Sequence, residues 1–276
     1  MKRTGKYAYV DGVPCTVSWG FTQANSMSRY SASCSPDGTV AVEGNIDQTG
    51  TISGMGWLPF LPQEDDFAFI GVASAKAAEI INYEGDIKVI ESTLNIPVAA
   101  GGPITWTSTF GVQGRLTKTT TPAYVDDTRD PAPSAKNGLV KIETAPAVWT
   151  PVEFLQNISI TFRRPANTLV EAGETFRETG NLEVDLNFEV KNDDFEVAMY
   201  QSNVIARVRV FVTATLFYEF DAFVFKDKTN YTVTRVGGEL IGYTVNAFWT
   251  ALRAQVTPVL GYIKKPDDTY LYGVAP

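Results

Sequence analysis

Histidine is absent from this chain of 276 residues. Without the side chain whose unperturbed pKa lies nearest neutrality, Ser/His/Asp and Cys/His catalysis and histidine-ligated zinc are excluded. Cysteine is nearly as scarce. Cys15 and Cys34 are the only two, too few to staple a secreted scaffold, and they read as reduced thiols. Positive charge is in deficit as well: 23 Lys and Arg stand against 31 Asp and Glu, a net charge of -8. Such a surface is not built to grip a phosphate polymer, so nucleic acid can pass nearby without being held tightly. Nowhere do about 18 uncharged apolar residues follow one another, and the basic N-terminus MKRTGKYAYVDG leads into no apolar run. The chain therefore reads as a soluble protein made and kept in a cytoplasm, with no membrane partner. The sequons at Asn157 and Asn230 then carry no meaning, because glycosylation needs a secretory route.

What the sequence does hold is β-strand pattern. TVSWGF puts Val17, Trp19 and Phe21 on one face, and NISITF does the same with Ile158, Ile160 and Phe162. In NLEVDLNFEV, Leu182, Val184, Leu186, Phe188 and Val190 alternate with Glu183, Asp185, Asn187 and Glu189, the period of a strand with one buried and one wet face. In PITWTSTFGVQ, Ile104, Trp106, Phe110 and Val112 oppose Thr105, Thr107, Thr109 and Gln113. The run from Val204 to Phe220 has apolar groups on both faces and is expected to be covered on both sides. Helix signals are few, the best being ASAKAAEIINYEG at 73–85, which reads either as a short helix or as a loop running into a strand. The fold class is all-β.

The two halves repeat one another. Gly44-Asn45 returns as Gly180-Asn181 and Gly101-Gly102 as Gly237-Gly238, both 136 residues later, while DDFAFIGVAS at Asp65 has its counterpart in DDFEVAMYQS at Asp193. Three paired anchors in one order favour a duplication. Each Gly-Gly is expected to bend the backbone ahead of a long strand. Between the copies, Lys118 to Thr150 is rich in Pro, Thr, Ala and Asp and reads as a long connecting loop. After it, Lys264-Lys265-Pro266-Asp267-Asp268 sits between apolar runs as a hairpin turn.

Candidate chemistry is sparse. Asp65/Asp66 and Asp193/Asp194 stand at strand starts in both copies, where Asp suits turns, and a catalytic pair would have no need to be repeated. DDTRD at 126–130 lacks the Gly and terminal Glu of a calcium loop. GMGWLPFLP at 54–62 has a Gly-x-Gly but no helix start, with Pro59 and Pro62 interrupting, so it is no dinucleotide fingerprint. Four of the five tryptophans lie in or beside strand patterns and are expected in the core. No catalytic residue, cofactor or metal is assigned, and the chain is not expected to be an enzyme. The acidic row Glu183, Asp185 and Glu189, with Asp47 in the first copy, is a solvated face or, lining an enclosed channel, would repel a phosphate polymer and let it slide.

GNIDQTGTISGMGWLP, Gly44 to Pro59, resembles the Gly-x-x-Asp-Trp-Ser-Gly-Ser-Tyr segment of many tailed-phage virion structural proteins, with Gln48 where tryptophan is common. Downstream, EDDFAF and IKVIESTLNIPVAAGGPITWTSTFGVQGRLT resemble the strands that follow it there, which end in the pattern Trp-x-x-x-Phe-x-x-x-Gly-x-Leu. The family is that of the tail tube proteins and their relatives. The resemblance implies two tandem β-sandwich or partial-barrel modules, at 1–117 and 151–276 with a C-terminal hairpin, joined by a long loop at 118–150. It implies inner sheets that join between neighbours into a ring, a trimer presenting six modules, and rings stacked into a tube around a channel for DNA. The partners implied are further copies of the chain, other tail proteins and, transiently, DNA; the location is the virion tail, after assembly in the host cytoplasm. Asp47, Glu183, Asp185 and Glu189 become lumen-facing candidates, and Asp126, Asp127, Arg129 and Asp130 candidates for contact between rings. Alternatives are a distal tail ring, a capsid decoration protein, or a carbohydrate-binding β-sandwich or adhesin, which would need exposed tryptophans in a groove.

Overall fold

The computed structural model describes residues 7–10, 13, 15–31, 39–63, 65–74, 81–119, 134–191, 205–232, 242–251 and 262–272. These residues are nearly all strand, with one short 3-10 turn at Ala135–Asn137. The first six strands are β1 (Tyr7–Val10), β2 (Thr16–Ser31), β3 (Thr39–Met55), β4 (Phe67–Ser74), β5 (Ile81–Ile96) and β6 (Thr105–Thr119). They pair antiparallel in the order β1-β4-β5-β6-β3-β2. Then come β7 (Leu139–Ala145), β8 (Val148–Pro151), β9 (Leu155–Arg163), β10 (Ala166–Glu171), β11 (Glu174–Thr179) and β12 (Glu183–Lys191). The last are β13 (Ile205–Phe211), β14 (Phe217–Thr232), β15 (Gly242–Trp249), β16 (Ile263–Lys264) and β17 (Tyr270–Tyr272). Six of these pair antiparallel in the order β7-β13-β14-β15-β12-β9.

The two orders are the same order. Each of the five pairings in the first set has its counterpart in the second, β1·β4 with β7·β13 through to β2·β3 with β9·β12. The register agrees too: β5 bulges between Val89 and Glu91 and β14 between Phe225 and Asp227, so the extra residues Ile90 and Lys226 lie 136 positions apart, the spacing seen between the glycine anchors. Gly101 has a φ of 60°, a conformation that glycine adopts without a Cβ penalty. It turns the chain between β5 and β6, and its carbonyl accepts from Ser134 Oγ while that of Gly102 accepts from the Ala135 N–H. Gly237 and Gly238 lie outside the described residues.

Each set curls until its end strand packs across the core instead of hydrogen bonding. From β2, the Trp19 ring meets Phe69 of β4 at 5.6 Å and Tyr83 of β5 at 6.0 Å, and its Nε1–H donates to the Val72 carbonyl at 3.1 Å. From β9, Phe162 lies 5.8 Å from Tyr218 and 6.1 Å from Phe220 of β14. On β12, Val184, Leu186, Phe188 and Val190 are all buried and Glu183 and Glu189 exposed, as the alternation requires. Burying each such side chain contributes roughly 1.5–3 kcal/mol.

Two expectations meet the structure differently. Of the stretch 118–150, read as a connecting loop, residues 139–145 form β7 and pair with β13. Its apolar signal is only Leu139, Val140 and Ile142, too short to stand out, yet Val140 and Ile142 are fully buried. The helix-or-loop stretch at 73–85 contains the start of β5 at Ile81, with 75–80 outside the described residues. The hairpin at the C-terminus is β16·β17, where Asp267 accepts from Thr269 N at 3.0 Å and Lys264 reaches Asp268 at 2.6 Å.

The second face of β13 is covered by charge rather than hydrocarbon. Arg209 stacks on Trp149 at 3.9 Å and donates to Glu219 at 2.6 Å; Arg207 donates to Glu219 at 2.8 Å, Glu143 at 3.1 Å and the Tyr262 hydroxyl at 2.7 Å. Tyr262, just before β16, donates in turn to Glu219. Burial opposes the ionisation of Glu219, but the bonds from Tyr262, Arg209 and Arg207 outweigh it and hold the carboxyl below its usual range. Burial and the bond to Glu219 push the Tyr262 hydroxyl up to about 12. A carboxyl depressed on folding stabilises above its unfolded value and loses that contribution as pH falls through the folded one. Glu219→Gln, which strands two arginines, is expected to cost about 3 kcal/mol at neutral pH. Calorimetry across acid pH should show the melting temperature of the variant falling less steeply than that of the native chain below the ordinary glutamate value of 4.5.

Candidate functional site

The two sets of strands are fused edge to edge. The early half of β5, Ile81 to Ile87, pairs with β4, and its late half pairs with β9, from Glu91 opposite Arg163 to Ile96 opposite Ile158. One side of this junction is dry: Leu94, Ile96, Ile158, Ile160 and Phe162 are fully buried, and Ser92 satisfies its hydroxyl on Ser108 at 2.8 Å. The other side is wet.

That wet face runs without a break from β2 through β3, β6, β5 and β9 to β12. One cross-strand row reads Ser18, Ser53, Thr107, Thr93, Thr161, Asp185, and the next Gly20, Thr51, Thr109, Glu91, Arg163, Glu183. A third, beginning on β3, reads Met55, Thr105, Asn95, Ser159, Asn187, Asn246 and ends on β15. Hydroxyls bridge the strands: Ser18 and Ser53 are 2.7 Å apart and Thr93 and Thr161 3.2 Å. Such pairs contribute roughly 0.2–1 kcal/mol each. Across its middle the face offers neutral hydrogen-bonding groups, with Glu91, Arg163, Glu183 and Asp185 gathered toward one rim and Glu189 beyond the opposite end.

Asp47, Glu183, Asp185 and Glu189 all lie on this side of the sheet. Glu183 and Asp185 share one cation, Arg163, at 3.1 and 3.3 Å, and Asp47 is paired with Arg177. Glu189 stands further along β12, exposed, between Asn157 and Thr244 in register. The row is therefore less negative than its carboxylates alone suggest. Arg163 and Arg177 are not legible from the sequence because they stand 20 or more positions from the nearest acid each pairs with on another strand, and only the fold brings them together. Asp126, Asp127, Arg129 and Asp130 lie outside the described residues.

Arg177 also braces the junction. The hairpin β10·β11, which belongs to the second set by sequence, crosses onto the first. Thr175 Oγ1 donates to the Ile46 carbonyl at 2.8 Å, and the Ile46 N–H to the Gly173 carbonyl at 3.0 Å. Gln113 uses its side-chain amide like a stretch of strand, accepting from Arg177 N at 2.6 Å and donating to Arg177 O at 2.9 Å. The guanidinium then lies on the sheet over Gly111 and donates to Val112 O at 2.9 Å. A Cβ on Gly111 would stand 2.2–2.4 Å from Arg177 Cδ, Nε and Cζ, so this position admits no side chain while the hairpin is seated. Where β9 ends, the Arg164 N–H donates to the carbonyl of the bulged Ile90 at 2.8 Å, and its guanidinium to Pro62 O at 3.2 Å and Gly180 O at 2.9 Å.

No family model and no curated protein matches the chain. Among solved structures, a chain described as the tail of an empty GTA particle, from helical refinement in C6 symmetry, aligns at 12% identity and a TM-score of 0.35, over 42% of this chain and 92% of that one.

Gly111→Ala is expected to unseat Arg177 at a cost on the order of 1–3 kcal/mol, read as a lower melting temperature and faster proteolysis within 166–179. Because the clash is with Arg177 itself, the double variant Gly111→Ala/Arg177→Ala should be no less stable than Arg177→Ala alone.

Proposed function

We propose that the chain is a structural subunit of a phage tail tube, whose copies form rings that stack around a channel for DNA. The observation that carries this reading is the β5·β9 junction. It joins two equally built modules into one sheet with one continuous wet face, and it leaves at the two outer ends strands of the same two kinds. At one end β2, the counterpart of β9, has β3 alone as its ladder partner among the described residues; at the other, the late half of β14, the counterpart of the late half of β5, has only β15. Open edges are a liability that proteins cover, and a head-to-tail contact whose rotation closes makes a ring with no edge left.

The chemistry of the wet face suits a wall past which DNA slides. Serine, threonine and asparagine hold few counterions to exchange with phosphate, and the acidic surplus at the rim keeps a polyanion from settling. The resemblance of Gly44 to Pro59 and of the strands after it to tail tube proteins points the same way. Sugar binding fits poorly: Trp106 and Trp249 are buried, Trp19 spends its N–H on Val72 and Trp149 lies under Arg209. Trp57 is the one largely exposed tryptophan, 41% accessible.

Negative-stain microscopy of the concentrated protein should show hollow rings or tubes; a monomer at every concentration would overturn the proposal. Glu183→Lys/Asp185→Lys should leave ring formation intact, since both side chains reach solvent, but turn the rim cationic beside Arg163. Rings of the variant are expected to retain duplex DNA in a filter-binding assay, with a steep loss on adding salt, where native rings retain little.

A further inference from the structure

We infer that copies join by pairing the late half of β14 with β2 of the next copy, in the register that β5 and β9 already use within one chain. The inference rests on the ring reading above and fixes its contact residue by residue. Hydrogen-bonded registers supply the equivalences. Thr93 is opposite Thr107, which is opposite Ser53; Thr229 is opposite Thr244, which is opposite Glu189. Ser53 and Glu189, like Thr93 and Thr229, are 136 positions apart. On the partner strand, Thr22 is opposite Thr49 as Thr161 is opposite Asp185, and Thr49 and Asp185 are again 136 apart. The internal pair Thr93·Thr161 thus maps onto Thr229·Thr22 of the neighbour, a threonine pair in both places. Around it, Glu91·Arg163 maps onto Asp227·Ala24 and, because β14 shifts register again between Thr229 and Thr232, Asn95·Ser159 maps onto Thr232·Gly20.

The β2 side is prepared for this. Thr22 is exposed, and a Cβ built on Gly20 meets nothing within 4 Å. Gly20, Phe21 and Thr22 line an open groove together with Gly50, Ile90 and Thr109. An isologous β2·β2 contact fits less well, because the junction inside the chain joins two unlike strands.

Single-cysteine variants in a Cys15→Ser/Cys34→Ser background test the register. Thr93→Cys/Thr161→Cys in one chain serves as the calibration, since that pair is seen. Thr22→Cys and Thr229→Cys proteins, mixed and oxidised, should give a covalent dimer absent from either protein alone, and the double variant a ladder ending at the closed ring. Gly20→Cys mixed with Thr232→Cys should cross-link likewise. Thr22→Cys with Lys228→Cys should not, because a slip of one residue turns the side chain to the other face. Rings in the microscope without the Thr22–Thr229 link, or with Thr22–Thr22 links instead, would overturn the register and leave the tube reading standing. Absence of any oligomer would overturn both.

Discussion

The whole arrangement hangs on one strand having two partners on one edge. β5 gives its early half to β4, then bulges at Ile90 and gives its late half to β9. A bulge turns and twists a strand locally, and here the freed Ile90 carbonyl is taken by the Arg164 N–H where β9 ends. Without that change of partner the two modules would be separate curled sheets on a tether. With it they share one hydrogen-bonded layer, one dry side and one wet side.

Backbone ladders give affinity but little angular rigidity, and the β10·β11 hairpin supplies the rest. It adds contacts onto β3 and β6 of the first set, through Thr175, the Gln113 amide and the Arg177 guanidinium. The Asp47–Arg177 pair is not valuable mainly as a charge pair, since the Asp47 side chain is 43% exposed and solvent screens it. The buried side of Arg177, lying in the space that Gly111 vacates, fixes the position. First-module Thr49 and Gly111 have second-module counterparts in Asp185 and Phe248 by register, and a phenylalanine leaves no such space. Among the described residues the brace therefore has no counterpart in the second set.

How far this could be read from residues alone follows from range. Alternation in β9, β12 and β6 is local, so Leu186, Phe188, Trp106 and Ile160 were legible as core, and Thr105, Thr107 and Thr109 as wet. The repeat was legible because Gly44/Gly180 and Gly101/Gly237 keep one spacing. The acids Asp47, Glu183 and Asp185 were legible as a polar row, but not their neutralisation, because Arg177 lies 130 positions from Asp47. β7 was hidden by its brevity, and Gly111 by the fact that a missing side chain carries no pattern. The role of Glu219, flanked in sequence by Tyr218 and Phe220, could not be seen before Arg207, Arg209 and Tyr262 were brought around it.

The strand pairings also set an order in time. The five pairings that order the first set all lie between residues 7 and 119, so that ladder can form before β9 emerges to take the late half of β5. β14 waits for β15 and then for β16, with Tyr262 arriving to close the cluster on Glu219. During synthesis the strand that bears the open edge is thus locked in place only after Tyr262 has emerged, which delays its offer to a neighbouring copy until both modules have been made.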